Sequence, residues 1–282
     1  MLFTSCGSDA TDETSNGDDT TNTNNPEENK TVQNVFYSIP SPVELGTLIQ
    51  QAGASYDAGL LNPIENKSKY SSITKKALNM GVYGADLSIT SIFDQTQESI
   101  FYLKCASALS EALGITGAFD NNTVSRMEAN KGNRDSLLGI ITDSYYETDD
   151  FLKENGRANV SALIIAGGWI EALYIGTQMG KNTNSDAIKT RIAELKGSLE
   201  NLIGLLTLYK GQEGIDPLLE KINGLKTVYD GIGKSGGTAD VKTDEKNKVT
   251  TIGGKDKMSI TPEQFDALLT KTAEIRNEII KP

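Results

Sequence analysis

The chain has 282 residues, with 27 Lys and Arg against 38 Asp and Glu, so its net charge is −11 at pH 7 and its isoelectric point is about 4.7. A negative field of this size repels phosphate backbones and anionic lipid surfaces, which argues against nucleic-acid binding and against membrane docking through the protein surface. Histidine is absent, which removes the commonest general base, the commonest zinc ligand and every Ser-His or Cys-His nucleophile pair. The sequence therefore predicts no catalytic residue, no metal site and no cofactor.

Residues 1–31 predict an anchored, disordered tether. Phe3-Thr4-Ser5-Cys6 resembles the lipobox of bacterial lipoproteins, in which a small residue precedes the lipidated cysteine, and the resemblance implies a lipid on Cys6. The tract 8–30 is acidic, rich in Asn and Thr, and has almost nothing to bury, as is typical of disordered linkers. The charged and apolar regions of an export signal are missing before Cys6, so the other interpretation is a chance cysteine in a disordered leader.

From Val32 onward the sequence predicts a single all-helical domain, residues 32–282. Two capping boxes with proline at the first helical position, at residues 41–44 and 261–264, begin the first and the last helix. The periodic segments between them predict further helices over about 67–80, 88–115, 121–155, 160–180, 185–209 and 217–229. The expected fold class is all-α, a multi-helix bundle of about seven or eight helices behind the tether.

The stretch GVYGADL, residues 81–87, leads into a helix that contains TQE at residues 96–98. Over residues 81–115 the chain resembles a group of helical lipoproteins of Bacteroidota-type bacteria, which implies an exported helical protein but no particular activity. Glycines three positions apart favour the close approach of another backbone or a bend at the start of the helix. On the helix that follows, Phe101 and Cys105 fall on the predicted core stripe, so Cys105 is expected to be a small buried hydrophobe that does not pair with Cys6.

The run Val160 to Met179 is the most apolar part of the chain and contains its one tryptophan, Trp169. Its apolar residues fall on every side, which indicates a helix packed on all faces at the centre of the bundle. Glu171 interrupts the run, and the unbroken apolar part is too short to span a membrane.

Residues 231–259 lose the helical period and become rich in Gly, Lys and Asp. The sequence allows either a small exposed hairpin, with residues 241–243 against residues 249–252, or a mobile loop. Long irregular segments on rigid scaffolds often carry function, so this stretch is a predicted contact surface.

Glu171 is the leading candidate site residue because an ionised carboxylate on a buried helix needs a partner, a raised pKa or a ligand. Missing side chains at Gly167 and Gly168 would leave a groove beside it, which Trp169 and Tyr174 could line. A weak sequence similarity between residues 107–115 and residues 168–176 places Glu111 at the position equivalent to Glu171. Two carboxylates near tyrosines are what a glycan-cleaving site uses, whereas the structural alternative is a satisfied buried glutamate beside glycines that allow close helix packing.

Tyr83 and Asp86, in the GVYGADL stretch, form a second candidate site. The structural alternative is that Asp86 caps a helix and Tyr83 packs in the core.

Taken together, the sequence predicts a non-enzymatic lipoprotein of the bacterial cell envelope, anchored by a lipid on Cys6 to the outer membrane and facing the periplasm or the cell surface. Its partner is expected to be a protein or a glycan. The competing hypothesis is a carboxylate-dependent glycan-active enzyme or glycan binder centred on Glu171 and Glu111.

Overall fold

The computed structural model describes residues 39–282, except residues 116, 236–239, 245–248 and 254–256. Cys6 and the tether over residues 1–31 lie outside the described residues, so the lipid anchor and the disorder of the tether stay predictions.

The described residues form ten α-helices and four short strands, which confirms the all-α class. The helices are α1 (Pro42–Gln51), α2 (Ile73–Ile92), α3 (Thr96–Ala112), α4 (Asn121–Ala129), α5 (Arg134–Glu154), α6 (Ala158–Thr183), α7 (Asp186–Glu194), α8 (Lys196–Leu208), α9 (Ile215–Asp230) and α10 (Pro262–Ile280). Two 3₁₀ turns, Ala58–Leu60 and Ile64–Asn66, connect α1 to α2. Both predicted capping boxes are present, with reciprocal side-chain bonds at Ser41–Glu44 and Thr261–Gln264.

The count is ten rather than seven or eight because three of the expected helices are interrupted. The helix expected over residues 88–115 breaks at residues 93–95, and its first part continues the helix expected over residues 67–80. The helix expected over residues 121–155 is divided by a turn at residues 130–133, where Asn133 caps the second half. The helix expected over residues 185–209 breaks at Leu195, just before Gly197 and Ser198, a residue pair that commonly accompanies a helix kink. The apolar stripe runs through the break, since Ile192, Leu195 and Leu199 are all buried.

The GVYGADL stretch lies inside a helix, so the loop-like stretch expected there is wrong. Helix α2 continues from Ile73 to Ile92, and every residue from Ala77 onward is buried. A side chain at Gly81 would overlap the backbone of α6 at Ile164, and one at Gly84 would overlap the hydroxyl of Tyr145. Close packing on both sides therefore outweighs the cost of two glycines in a helix interior, about 1 kcal/mol each relative to alanine.

Helix α6 is the centre of the bundle, as predicted, and residues on all of its faces are buried. Its backbone lies directly against α2, because a side chain at Gly167 would overlap the carbonyl group of Leu78. The groove expected beside Gly167 and Gly168 is therefore filled by the backbone of α2. By length and composition α6 is also the one helix of the described residues that could cross a membrane, but 89% of its most apolar window is buried inside the bundle.

Helix α3 packs mainly on α2 and follows a stripe that differs in part from the predicted one. Cys105 is buried, as expected, but Phe101 is 43% exposed and the buried positions are Tyr102, Leu103 and Leu109.

The segment between α9 and α10 contains two antiparallel strand pairs. Strand β2 (Asp240–Asp244) pairs with β3 (Val249–Gly253), and β1 (Gly233–Ser235) pairs with β4 (Lys257–Ser259). Val241 lies opposite Ile252 in the inner pair, which confirms the hairpin alternative for this segment. We refer to the four strands together as the ribbon.

Candidate functional site

Glu171 lies in the middle of α6 with no exposed surface. Its two carboxylate oxygens accept hydrogen bonds from Nε and Nη2 of Arg276 on α10, both at 2.9 Å. This bidentate geometry is the strongest form of carboxylate recognition by arginine. The expectation that a buried Glu171 has a partner is confirmed, and the partner is the arginine.

Arg276 has two further contacts that hold it in place. Its Nη2 also donates to the carbonyl oxygen of Leu60 at 2.9 Å, and its guanidinium lies over the ring of Tyr174, 4.5 Å from the centroid. Burial alone lowers the pKa of Arg276, but the Glu171 carboxylate outweighs burial and raises it. Arg276 is 6% exposed. Its ion pair with Glu171 and its cation–π contact with Tyr174 are therefore both largely shielded from water.

Asp86 of α2 joins the same cluster. It is fully buried, and its Oδ2 accepts the backbone N–H of Asn62 at 3.2 Å. Burial raises the pKa of Asp86 well above its ordinary value, and the neighbouring Glu171 carboxylate raises it further, against the opposing effect of Arg276. Both effects favour the protonated carboxyl, and the buried Oδ1 has no hydrogen-bond partner among the described residues.

We call Asp86, Glu171 and Arg276 the buried triad. It joins α2, α6 and α10 at a single point inside the core. Asp86 lies in a helix interior, so the expectation that it caps a helix is wrong.

Tyr83 packs in the core and does not belong to the triad. Its hydroxyl donates to the carbonyl oxygen of Pro63 at 2.8 Å, and its ring lies 6.4 Å from that of Tyr70 and 6.2 Å from that of Tyr102. Burial raises its pKa, which keeps the phenol neutral. These contacts agree with the packing interpretation of Tyr83.

Trp169 faces away from Glu171. Two positions along an α-helix correspond to a rotation of about 200°, and the Trp169 Nε1 donates to Ser198 Oγ of α8 at 2.7 Å. Tyr174 is the one predicted neighbour of Glu171 that does lie at the triad, through Arg276.

Glu111 is not brought together with Glu171. It lies exposed at the C-terminal end of α3, and α3 packs on α2 rather than on α6. The two similar segments lie on helices of different burial: α6 is packed on all sides, whereas one side of α3 is packed. The predicted glutamate pair is therefore not a site in this structure, and Asp86 occupies the place beside Glu171.

The triad is closed to solvent, since both of its carboxylic acids lack exposed surface. Two open cavities elsewhere in the described residues are lined by other side chains: a groove of about 410 Å³ between α9 and α10, and a pocket of about 160 Å³ beside the turns before α3 and α5. Within the described part of the chain, no group of three or more Cys, Asp or Glu residues could hold a metal ion.

Sequence reasoning missed Arg276, although a signal for it exists. It follows the core position Ile275 and lies one helical turn after the buried Thr272 in α10, and a buried Glu171 requires a cation. Comparison with known proteins adds no further candidate, because the chain matches no protein-family model, no curated protein and no solved structure.

Proposed function

We propose that this protein is a non-enzymatic lipoprotein of the bacterial cell envelope whose rigid helical domain binds a partner. The closure of the triad is the observation that carries the proposal. A carboxylate that acts on a glycan must reach the sugar, whereas Glu171 has no exposed surface and both of its oxygens are bound by Arg276. The absence of histidine also supports a role in binding rather than catalysis.

The competing proposal, a glycan-active protein centred on Glu171 and Glu111, requires two carboxyl groups in one open cleft. A thermal-shift screen with glycans, comparing wild type with Glu171→Gln and Glu111→Gln, separates the two proposals. We expect any glycan that raises the melting temperature of the wild type to raise that of both variants equally. A glycan that stabilises the wild type but neither variant would contradict the scaffold proposal.

The ribbon is the contact surface that we propose for the partner. It leaves the bundle after α9, where Gln264 Nε2 donates to the carbonyl oxygen of Gly231 at 2.6 Å, and β4 contacts α7. The ribbon is thus held at its base by the bundle, and strands presented in this way can pair with an extended partner segment.

Photo-crosslinking in the native envelope tests the ribbon. A crosslinker placed at Thr243 in β2 is compared with one at the exposed Glu111. We expect one discrete partner species from Thr243 and none from Glu111. Equal species from both positions would contradict the ribbon as the contact surface.

Metabolic labelling with an alkyne fatty acid tests the anchor. We expect the label to be lost in Cys6→Ser and retained in Cys105→Ser, because Cys105 is buried in the bundle. Retention of the label in Cys6→Ser would contradict lipidation at that cysteine.

A further inference from the structure

A second polar cluster of the molecule is open to solvent. It surrounds the pocket of about 160 Å³ between the turn at residues 93–95, which joins α2 to α3, and the turn at residues 130–133, which joins α4 to α5. The polar side chains in its lining are those of Ser91, Asp94, Thr96, Ser99, Lys131 and Arg134. We call this cavity the turn pocket.

Two cations of the turn pocket have no ion-pair partner among the described residues. Neither Lys131 nor Arg134 forms an ion pair with any residue in the described part of the chain. Arg134 Nη2 donates to Oε1 of Gln50 at 2.7 Å, and Gln50 Nε2 in turn donates to the carbonyl oxygen of Ile92 at 2.7 Å. A neutral amide thus fixes the guanidinium without neutralising its charge. The chain has a net charge of −11, yet the lining of this cavity contains two positive side chains and one negative side chain.

Hydroxyl groups line the wall between the two cations. Ser91 is 2% exposed and Ser99 is 1% exposed, and Ser91 Oγ donates to Ser99 Oγ at 3.2 Å. Ser99 Oγ in turn donates to the carbonyl oxygen of Gln95. The contact from Ser91 to Ser99 is long for two hydroxyl groups, and the Ser91 hydrogen can rotate from it towards a ligand oxygen. Thr96 Oγ1 donates to the carbonyl oxygen of Lys131 at 3.4 Å and so links the two turns.

The backbone adds further donors at the same place. Helices α3 and α5 begin at Thr96 and Arg134, and both residues line the pocket. The N–H groups of Thr96 and Gln97 have no hydrogen-bond acceptor among the described residues, since the N-cap residue Gln95 makes no side-chain cap. The partial positive charge of a helix N-terminus favours an anion at such N–H groups.

We infer that the turn pocket binds a small oxyanion of phosphate size, either inorganic phosphate or the phosphate group of a monoester. Arginine, lysine, hydroxyl and N–H donors around a small cavity are the groups that recognise phosphate oxygens. The remaining negative surface of the protein repels a polyanion, so the ligand is a single small group. Asp94 is the one acidic side chain of the lining, and its charge lowers the affinity for any anion. The inference does not depend on the proposed function.

Isothermal titration of the full 282-residue chain with inorganic phosphate and with glucose 1-phosphate, at constant ionic strength and pH 7.5, tests this inference. We expect saturable binding to one site in the wild type. Arg134→Gln should weaken it about tenfold, because it removes charge-assisted hydrogen bonds. Lys131→Gln should weaken it about fivefold, because it removes one charge near the ligand.

Asp94→Asn gives a test of opposite sign. Asp94 has a φ angle of +58°, a conformation that asparagine also tolerates, so the backbone is preserved. Removal of the negative charge should tighten phosphate binding about fivefold. Lys181→Gln, at an exposed lysine away from the pocket, is the matched control and should leave the affinity unchanged.

Binding of the monoester alone would support the site and assign the ligand to a sugar or lipid headgroup phosphate. An absence of saturable binding for both probes would overturn the inference. Equal affinities in wild type, Lys131→Gln, Asp94→Asn and Lys181→Gln, with circular dichroism melts that show all four folded, would overturn it as well.

Discussion

The buried triad and the turn pocket contain the same kinds of group and use them in opposite ways. In the triad, Arg276 is paired with Glu171 on both oxygens and all three side chains are buried. In the turn pocket, Arg134 bonds only to the neutral side chain of Gln50 and lines a cavity that is open to solvent. The buried arginine, paired with a carboxylate, joins helices in this protein, whereas the arginine without an ion-pair partner lines the cavity that we propose as an anion site.

The largest expected difference between the two regions lies in their arginines. Arg276→Gln leaves Glu171 buried without its counter-ion and should lower the free energy of unfolding by about 3–5 kcal/mol. Arg134→Gln removes one hydrogen bond at the surface and should lower it by less than about 1.5 kcal/mol. Urea denaturation of both variants measures the difference. Similar decreases in the free energy of unfolding of the two variants would contradict the structural difference between the buried triad and the turn pocket.

The second effect concerns the close packing of α2 against α6, which closes the triad to solvent. Gly167→Ala forces α6 away from the backbone of α2 at Leu78 and should cost at least about 2 kcal/mol. Gly139→Ala is the matched control, because no atom lies within 4 Å of the added Cβ in α5. It should instead stabilise the protein by up to about 1 kcal/mol through helix propensity. Thermal denaturation that shows the same sign for both variants would contradict the close contact of α2 and α6.

The raised pKa of Asp86 predicts a pH-dependent effect on stability. Because its pKa is raised in the folded state, its contribution to stability is complete below the ordinary value of 3.8 and is lost as the pH rises towards the folded pKa. Asp86→Asn cannot titrate, yet its amide can donate to Glu171 and accept from Asn62 N–H. The variant should gain stability relative to wild type as the pH rises, by at most about 1.4 kcal/mol per pH unit.

Free energies of unfolding from pH 4 to 9 measure this difference. Asp143→Asn, at an exposed position on α5, serves as the control and should leave the pH profile of the wild type unchanged. If the free energies of unfolding of Asp86→Asn and wild type differed by the same amount at every pH in this range, Asp86 would be ionised throughout it.

The smallest effect concerns the face of α6 opposite the triad. Ser198→Ala removes the acceptor of the buried Trp169 N–H and should cost about 1–2 kcal/mol. The tryptophan emission should shift, since its polar neighbour is lost, while the pH profile of the triad stays as in wild type. A change in that pH profile would show that the two faces of α6 are coupled.

Local signals in the sequence predicted much of the fold. The two capping boxes and the central helix need only neighbouring residues for their recognition, and the structure has all three. The break at Leu195 was missed because the apolar stripe continues across it. The break before Asn133 lies in the polar stretch of residues 128–136, which carries no apolar periodicity to mark a helix end. The continuity of α2 through Gly81 and Gly84 was missed because it depends on the contacts of these glycines with α6 and Tyr145, which no local propensity contains.

The sequence predicted two members of the triad, Glu171 and Asp86, as separate candidates, and did not predict the third, Arg276. General electrostatics was sufficient to predict that a buried Glu171 needs a partner. It could not identify Arg276 as that partner, because Arg276 lies 105 positions away in the sequence. Asp86 was assigned to a separate site, since a loop at GVYGADL would not place it against α6. Glu111 was paired with Glu171 on a local resemblance between two helices, and such a resemblance carries no information on which side of a helix faces the core.

The bonds at the last helix determine how the domain unfolds. Arg276 reaches Leu60 across 216 positions, and Lys75 Nζ holds the carbonyl oxygen of Lys281 across 206 positions, at 2.7 Å. Contacts of such high sequence separation form only after a large loss of chain entropy, which slows folding. They also fasten the last helix to residues 60 and 75, so α10 cannot detach from the bundle without loss of the triad. We therefore expect one cooperative transition on unfolding, with α10 protected from hydrogen exchange to nearly the same extent as α6.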